Sequence, residues 1–348
     1  MILIAFGTRP EIIKLFPVVL ALQQRGIPHR TLFTGQQTDL YEDVKDLVPP
    51  PDFSFAEAFA GVQKHNSLGG SYVKICEAAE ALYARVRLDT VVVQGDTTTA
   101  WALAQMAFYN GVRVAHVEAG LRTFDLMNPY PEELNRTLIS QIADYNFAPT
   151  RQAFETLAKT GARNIHLVGN TIVDAVDYFK KTLRLETKTT PLVPVTLHRR
   201  ENHAIMKDLF QELETIAARN EDLEFVLPIH PNPNVQKHRQ LLHAKNIRVI
   251  DPVGYPDMLR MISRAAFLIT DSGGIQEEAT CFNKKVIIAR EKTERPEVVE
   301  IGLGRLAGRS LEREIAWARI PPGDSDASPY GDGHAAERIV DVLVGLTA

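Results

Sequence analysis

The N-terminal stretch MILIAFGTRPEIIKLFPVVL (residues 1–20) decides the fold class. Ile2 to Phe6 is a continuous apolar run, Gly7-Thr8-Arg9-Pro10-Glu11 breaks it, and Ile12, Ile13, Phe16, Val19 and Leu20 then recur at helical spacing. An apolar run closed by turn residues and followed by a helical period reads as strand, loop, helix. Pro10 suits the first helical turn, where its missing N–H would have no partner, and Pro17 is expected to kink the helix.

The same unit recurs down the chain. Thr90 to Val93 is β-branched, Gly95-Asp96-Thr97-Thr98-Thr99 follows, and an Ala-rich helix runs to about Asn110. The next strand leads to His116 and Glu118, and Pro131-Glu132-Glu133 opens a helix carrying Arg136. Tyr145 to Ala148 and Asn164 to Val168 read as further strands, separated by a helix from about Arg151. After Gly169-Asn170 comes a helix to about Leu185, then a polar connection, Glu186 to Pro191. A second set begins there: strands at Val193–Leu197, Glu224–Ile229, Ala266–Ile269 and Lys285–Ala289, with a last amphipathic helix at Gly333–Leu346. Alternating strands and helices mean βαβ units and parallel sheets, and two sets mean two doubly wound α/β domains. The polar clusters at 7–11, 95–99, 116–118, 198–202, 230–233 and 271–278 each follow an apolar strand. Open parallel sheets bind ligands outside the carboxyl ends of their strands, so two facing domains would line one cleft with these clusters.

At 348 residues, two domains are the natural expectation. With 45% hydrophobic and 24% charged residues the composition is that of a globular protein, and a net charge of −4 offers no global basic field for nucleic acid. Cys76 and Cys281 are far apart, which argues against a disulfide framework or a Cys-based metal site and fits a reducing cytoplasm. No window reaches the roughly 18 apolar residues a membrane span needs. Neither a G-x-x-x-x-G-K loop nor a dinucleotide fingerprint is present, and the ten histidines include no H-E-x-x-H. No cofactor and no metal is expected.

Asp96 and Glu118 follow neighbouring strands, so both should reach the same end of one sheet, where close carboxylates acquire separated pKa values and serve as acid and base. Glu133 reads more simply as a carboxylate at a helix N-terminus. Thr270-Asp271-Ser272-Gly273-Gly274 before a helix could receive a phosphate on free N–H groups, or could be an ordinary cap with Asp or Ser satisfying them. His198-Arg199-Arg200 could hold a diphosphate or could be a solvated helix start. Arg9 and Lys14 stand beside the Gly7 turn, and a lone His230 is more often structural than catalytic.

GTRPE (7–11), GDTTT (95–99), HVEAGLRT (116–123), PEELNR (131–136), GNTIVDA (169–175), HRREN (198–202), TDSGGIQEEA (270–279), TERPE (293–297) and PYGDG (329–333) together resemble the non-hydrolysing UDP-N-acetylglucosamine 2-epimerases, in order and over nearly the full chain. The resemblance implies a GT-B-like fold of two Rossmann-like domains, 1–168 and 169–329, with the last helix, about 330–348, crossing back to the first. It implies interconversion of UDP-GlcNAc and UDP-ManNAc by anti elimination of UDP to a 2-acetamidoglucal, reprotonation of C2 and re-addition. Asp96, Glu118 and Glu132 match the family's acid–base carboxylates. Arg9, Lys14, Arg136, His198 and the Ser272-Gly273-Gly274 turn would hold the UDP-sugar, with His198 also counted among the catalytic groups, Glu278 on the ribose and Arg295 near the UDP. A homodimer is implied, with no nucleic-acid or membrane partner.

Several positions depart from the family pattern. Phe124 stands where a Gly is expected and Met127-Asn128 where Tyr-Ser is. His203-Ala204 follows HRREN without the usual Gly. Val253 and Met258 replace a Gln and an aromatic residue near the uracil, and Asp39 replaces a Gln that, in bacterial members of the family, helps bind a second UDP-GlcNAc as allosteric activator. These positions bear on base contact, activation and the exact sugar. A 2-epimerase of another nucleotide 2-acetamido sugar, a hydrolysing relative and a GT-B glycosyltransferase are the alternatives.

Overall fold

Strand β1 (Ile2–Phe6) is buried along its whole length, because helices cover both faces of the sheet and no residue of a central parallel strand meets water. The computed structural model describes residues 1–35, 47, 49–59, 67–186, 188–323 and 328–345. It divides the chain into two compact units, Met1–Ala175 with Tyr330–Ala348, and Val176–Pro329. The boundary falls inside helix Thr171–Thr182. Among the described residues no helix is long and apolar enough to cross a membrane.

The first unit holds seven parallel strands: β1, β2 (His29–Phe33), β3 (Phe53–Ser54), β4 (Thr90–Gln94), β5 (Arg113–Val117), β6 (Tyr145–Ala148) and β7 (Ile165–Leu167). Their order is β3-β2-β1-β4-β5-β6-β7. The chain winds outward from β1 in one direction and from β4 in the other, so the order reverses between these two neighbours, and that is where a doubly wound sheet opens a crevice. The register pairs Ile2 with Thr90 and Gln94 with Val117. It brings the ends of β1, β4 and β5 to one edge.

The second unit repeats the plan with β8 (Leu192–Thr196), β9 (Glu224–Pro228), β10 (Ile247–Ile250), β11 (Leu268–Thr270), β12 (Val286–Ile288) and β13 (Gly304–Leu306) in the order β10-β9-β8-β11-β12-β13. Its reversal lies between β8 and β11, which pair through Ile269–Val195 and Thr270–Thr196. Phe210, Phe225 and Phe267 are fully buried in its core, each contributing about 1.5–3 kcal/mol of transfer free energy.

Four strands lie outside the sequence reading: β2, β3, β10 and β13. β3, β10 and β13 are short, and β2, as long as β1, opens on the polar pair His29-Arg30. β11 starts at Leu268, two residues later than the apolar run suggested. His116, read as part of a polar cluster following β5, lies inside that strand and is fully buried. The C-terminal helix Ala335–Leu343 belongs to the first unit. Asp174 accepts from the Ala335 and Ala336 amides at its N-terminus (3.3 and 2.8 Å), and Asp341 pairs with Arg25.

Candidate active site

Gly7, at the end of β1, has no room for a side chain: a Cβ there would sit 2.3 Å from Thr34 Oγ1 and 2.4 Å from Thr99 Oγ1. The β1 and β4 loops therefore touch at the reversal point. Glu11 joins them. Its Oε2 accepts from the Gly7 amide (3.0 Å) and Thr8 Oγ1 (2.8 Å), and its Oε1 accepts from Thr97 Oγ1 (2.7 Å). Burial lifts this carboxyl to about 7, against the hydrogen bonds from Thr97, Thr8 and Gly7 that pull the other way.

One helical turn on, the Lys14 ammonium is buried and stands 2.5 Å from Glu118 Oε1. Gln94, the last residue of β4, donates to Oε2 of the same carboxylate. Glu118 has φ +63°, a left-handed conformation that costs a non-glycine residue on the order of 1–3 kcal/mol and concentrates at functional sites. Asp96 Oδ2 lies 2.5 Å from Arg136 Nη2, and its backbone carbonyl accepts from Asn135 Nδ2 (2.8 Å). His116 Nε2 donates to the Gly95 carbonyl (2.8 Å). Burial pushes this imidazole down to about 4, so it is neutral near pH 7 and braces the turn that carries Asp96.

The segment from Glu118 to Arg136 sorts its charged residues into distinct tasks. Glu133 is buried and accepts from the Thr123 and Phe124 amides (3.1 and 3.0 Å), with Arg136 Nη1 at 3.3 Å. Its task is to pin the loop, which goes beyond the favourable helix-end charge read from sequence. Glu132 is half-buried at the start of helix Glu132–Ile142. Arg122 donates to the Leu121 and Arg136 carbonyls and to Ser140 Oγ (2.7, 3.3 and 3.0 Å), so it ties the loop to that helix. Phe124 has φ +60° and is 74% exposed. The departure from glycine thus falls at a backbone conformation that glycine adopts freely and phenylalanine does not.

In the second unit Asp271 is the organising residue. Its Oδ2 accepts from the amides of His198 and Arg199 (2.9 Å each) and from Asn202 Nδ2 (3.0 Å), and its Oδ1 lies 3.4 Å from His198 Nδ1. Ser272 makes no side-chain capping bond to helix Gly273–Thr280, so the ordinary-cap reading of this turn does not hold. The His198 ring stacks on His230, centroids 5.2 Å apart and planes 12° from parallel. Arg295 is held by Glu277 (2.7 Å) and Glu294, and a Cβ on Gly273 would meet its Nη1 at 2.3 Å. Gly273 therefore lets the guanidinium lie against the first turn of the helix. Glu278 Oε1 is close to Gly274, 3.8 Å from where a Cβ would be. Tyr255 is buried beside Glu278, and burial together with that carboxylate raises its phenol well above the usual value.

The structure thus joins Lys14 to Glu118 and Arg136 to Asp96 in one unit, and His198, the Ser272–Gly274 turn and Arg295 around one helix start in the other. Arg9 begins helix Arg9–Gln24 and is half-buried. Val253 and Met258 flank the start of helix Tyr255–Arg264, and Asp39 lies outside the described residues. Glu11, Gln94, His116 and Asn202 carry contacts for which the sequence reading offered no role, and Asp271, read there only as a cap, accepts from the His198–Asn202 turn instead. The one usable signal was that Glu11 lies three residues before Lys14, on the same helix face. Among the described residues no cluster of three or more His, Cys, Asp or Glu side chains could hold a metal ion.

The family model described as UDP-N-acetylglucosamine 2-epimerase matches residues 20–344. The chain is 36% identical over 377 residues to the UDP-N-acetylglucosamine 2-epimerase of Campylobacter jejuni, covering 99% of this chain and 97% of that protein. It is 35% identical over 373 residues to the protein of the same name from Escherichia coli K12, covering 98% of each. Among solved structures, it is similar to the UDP-GlcNAc 2-epimerase of Neisseria meningitidis bound to UDP-GlcNAc, with TM-score 0.91, 31% identity and 99% of both chains covered. It is also similar to the Methanocaldococcus jannaschii enzyme in complex with UDP-GlcNAc and UDP, with TM-score 0.84, 33% identity and 99% of both chains covered.

Proposed function

The chain belongs to the UDP-N-acetylglucosamine 2-epimerase family, and we propose that it interconverts UDP-GlcNAc and UDP-ManNAc without hydrolysing either. The observation that carries this reading is the pair of carboxylates at the ends of adjacent strands, Asp96 and Glu118, each against a buried cation.

The C2–H bond of a sugar is very weakly acidic, so departure of the anomeric UDP has to drive its loss. In the elimination, a base takes the C2 proton, the C2–H electron pair becomes the C1–C2 double bond, and the C1–O pair leaves with UDP. The return step reverses these moves after C2 receives a proton from the other face. Oxidation state is unchanged overall, so the chemistry consumes no oxidant. Asp96, Glu118 and Glu132 are assigned the proton transfers. A positioned acid or base contributes about 10²–10⁴-fold. Arg9, His198, the Ser272–Gly274 turn and Arg295 are assigned to the diphosphate, whose developing charge needs preorganised donors, and Glu278 to the ribose.

Incubation with UDP-GlcNAc in D₂O, followed by proton NMR, tests the reading. Deuterium at C2 of both epimers and a growing UDP-ManNAc signal are expected. Free sugar with UDP would mean hydrolysis. No exchange with UDP-GlcNAc, but exchange with another nucleotide sugar, would move the substrate assignment.

We further propose a homodimer supplying N-acetylmannosamine for a surface polysaccharide. Val73, Phe108 and Tyr109 support the dimer, since they leave an apolar face on two neighbouring helices, Leu68–Tyr83 and Thr98–Tyr109. Sedimentation as a single 38.8 kDa species at micromolar concentration would exclude it.

A further inference from the structure

We propose that Glu11 is a positioning residue for the reaction: it clamps the Gly7 turn to the Asp96–Thr97 turn and so sets the spacing of the two catalytic carboxylates. This inference rests on the 2-epimerase reading above.

A glutamate in the first turn of a helix ordinarily sits in water and interacts only with the helix end. Glu11 is fully buried instead. Burying a carboxyl is costly unless its oxygens are hydrogen-bonded, and here both are engaged, by donors from two different strand ends. Two donors, the Gly7 amide and Thr8 Oγ1, belong to the β1 turn. The third, Thr97 Oγ1, belongs to the β4 turn and also accepts from the Ala100 amide (3.0 Å), capping helix Thr98–Tyr109. Glu11 is thereby joined to the start of that helix and to the backbone immediately after Asp96.

The helix that carries Glu11, Arg9–Gln24, also holds the other carboxylate. Lys14, three residues after Glu11, pairs with Glu118 across 104 residues of sequence. Residues three apart share a helix face. One face of helix Arg9–Gln24 therefore sets the β4 turn through Glu11 and the end of β5 through Lys14. Acid–base pairs must act on one carbon, and displacement by about 1 Å can cost on the order of 100-fold in rate. Glu11 has no need to touch the substrate to control that distance.

The test compares Glu11→Gln, Thr97→Val, Thr97→Ser and the double variant Glu11→Gln/Thr97→Val in the D₂O exchange assay, with kcat and KM for UDP-GlcNAc measured separately. Glu11→Gln and Thr97→Val are expected to lower kcat by about 10–100-fold. KM should stay within about 3-fold, because ground-state binding is untouched. The double variant should be no worse than the poorer single one, since both remove one clamp. Thr97→Ser, which keeps the hydroxyl, should restore the rate. Raised KM at unchanged kcat, additive losses, or losses that only follow the unfolded fraction in a melting curve would overturn the assignment. If Glu11→Gln does not fold, the Thr97→Val and Thr97→Ser pair decides alone. Unimpaired exchange in the variants overturns the Glu11 assignment only, whereas no exchange in the parent protein sinks the epimerase reading and this inference with it.

Discussion

Glu118→Gln is expected to slow C2 exchange by about 10²–10⁴-fold, the range for loss of a positioned acid or base, while affinity for UDP persists. Asp96→Asn should act alike. Neither change is electrostatically silent. Glu118 neutralises the buried Lys14 ammonium and Asp96 neutralises the buried Arg136 guanidinium, so each variant strips a buried cation of a carboxylate partner. Removing one member of such a pair costs on the order of 3–5 kcal/mol, less for Asp96→Asn because Arg136 keeps Glu133 at 3.3 Å, and the melting temperature should fall as well. A loss of folded protein could therefore imitate a catalytic loss. The double variant Glu118→Gln/Lys14→Met separates them. Removing both charges is expected to recover stability and leave exchange abolished. Restored exchange in the double variant, or full activity in either single one, would take that carboxylate out of the mechanism.

The second large effect is structural and belongs to the other unit. Asp271→Ala removes the acceptor shared by the His198 and Arg199 amides and the Asn202 side chain. Unsatisfied buried donors cost roughly 1–3 kcal/mol each, so a total loss on the order of 3 kcal/mol is expected once partial rehydration is allowed for. Hydrogen exchange at the His198 and Arg199 amides should accelerate by about 100-fold, the equivalent of that local opening energy. UDP affinity should drop too, because the turn after β8 loses its anchor to the turn after β11. Asp271→Asn keeps one oxygen acceptor and should fall between. Unchanged amide protection and unchanged UDP affinity in Asp271→Ala would show that the hub is dispensable.

How much of this was legible depends on how far apart the partners lie in the chain. Gly7, Asp96, Glu118 and the Asp271–Gly274 turn follow apolar strands directly, and a strand end is a local signal. The tasks within the clusters were not local. Glu132 and Glu133 are adjacent and chemically identical, yet Glu133 is directed onto the Thr123 and Phe124 amides, ten and nine residues back in the chain. Arg122 and Arg136 both looked like anion holders. Arg122 is hydrogen-bonded to backbone and Ser140, and Arg136 makes its ion pair with Asp96, 40 residues away. Asp271 looked like a cap and proved to be the acceptor for a turn about 70 residues earlier.

The amino-acid sequence by itself determined the doubly wound architecture. Parallel strands covered on both faces must be continuously apolar, and the loops at their carboxyl ends are where polar and glycine residues can collect. It determined the family as well, through nine motifs in register. The tertiary structure decided which charges neutralise one another, which histidine is buried and neutral, and that Glu11 binds two strand ends together. Those choices depend on strand order, since β1 pairs with β4 across more than eighty residues, and a hydrogen bond is specified by the neighbour a side chain meets in space.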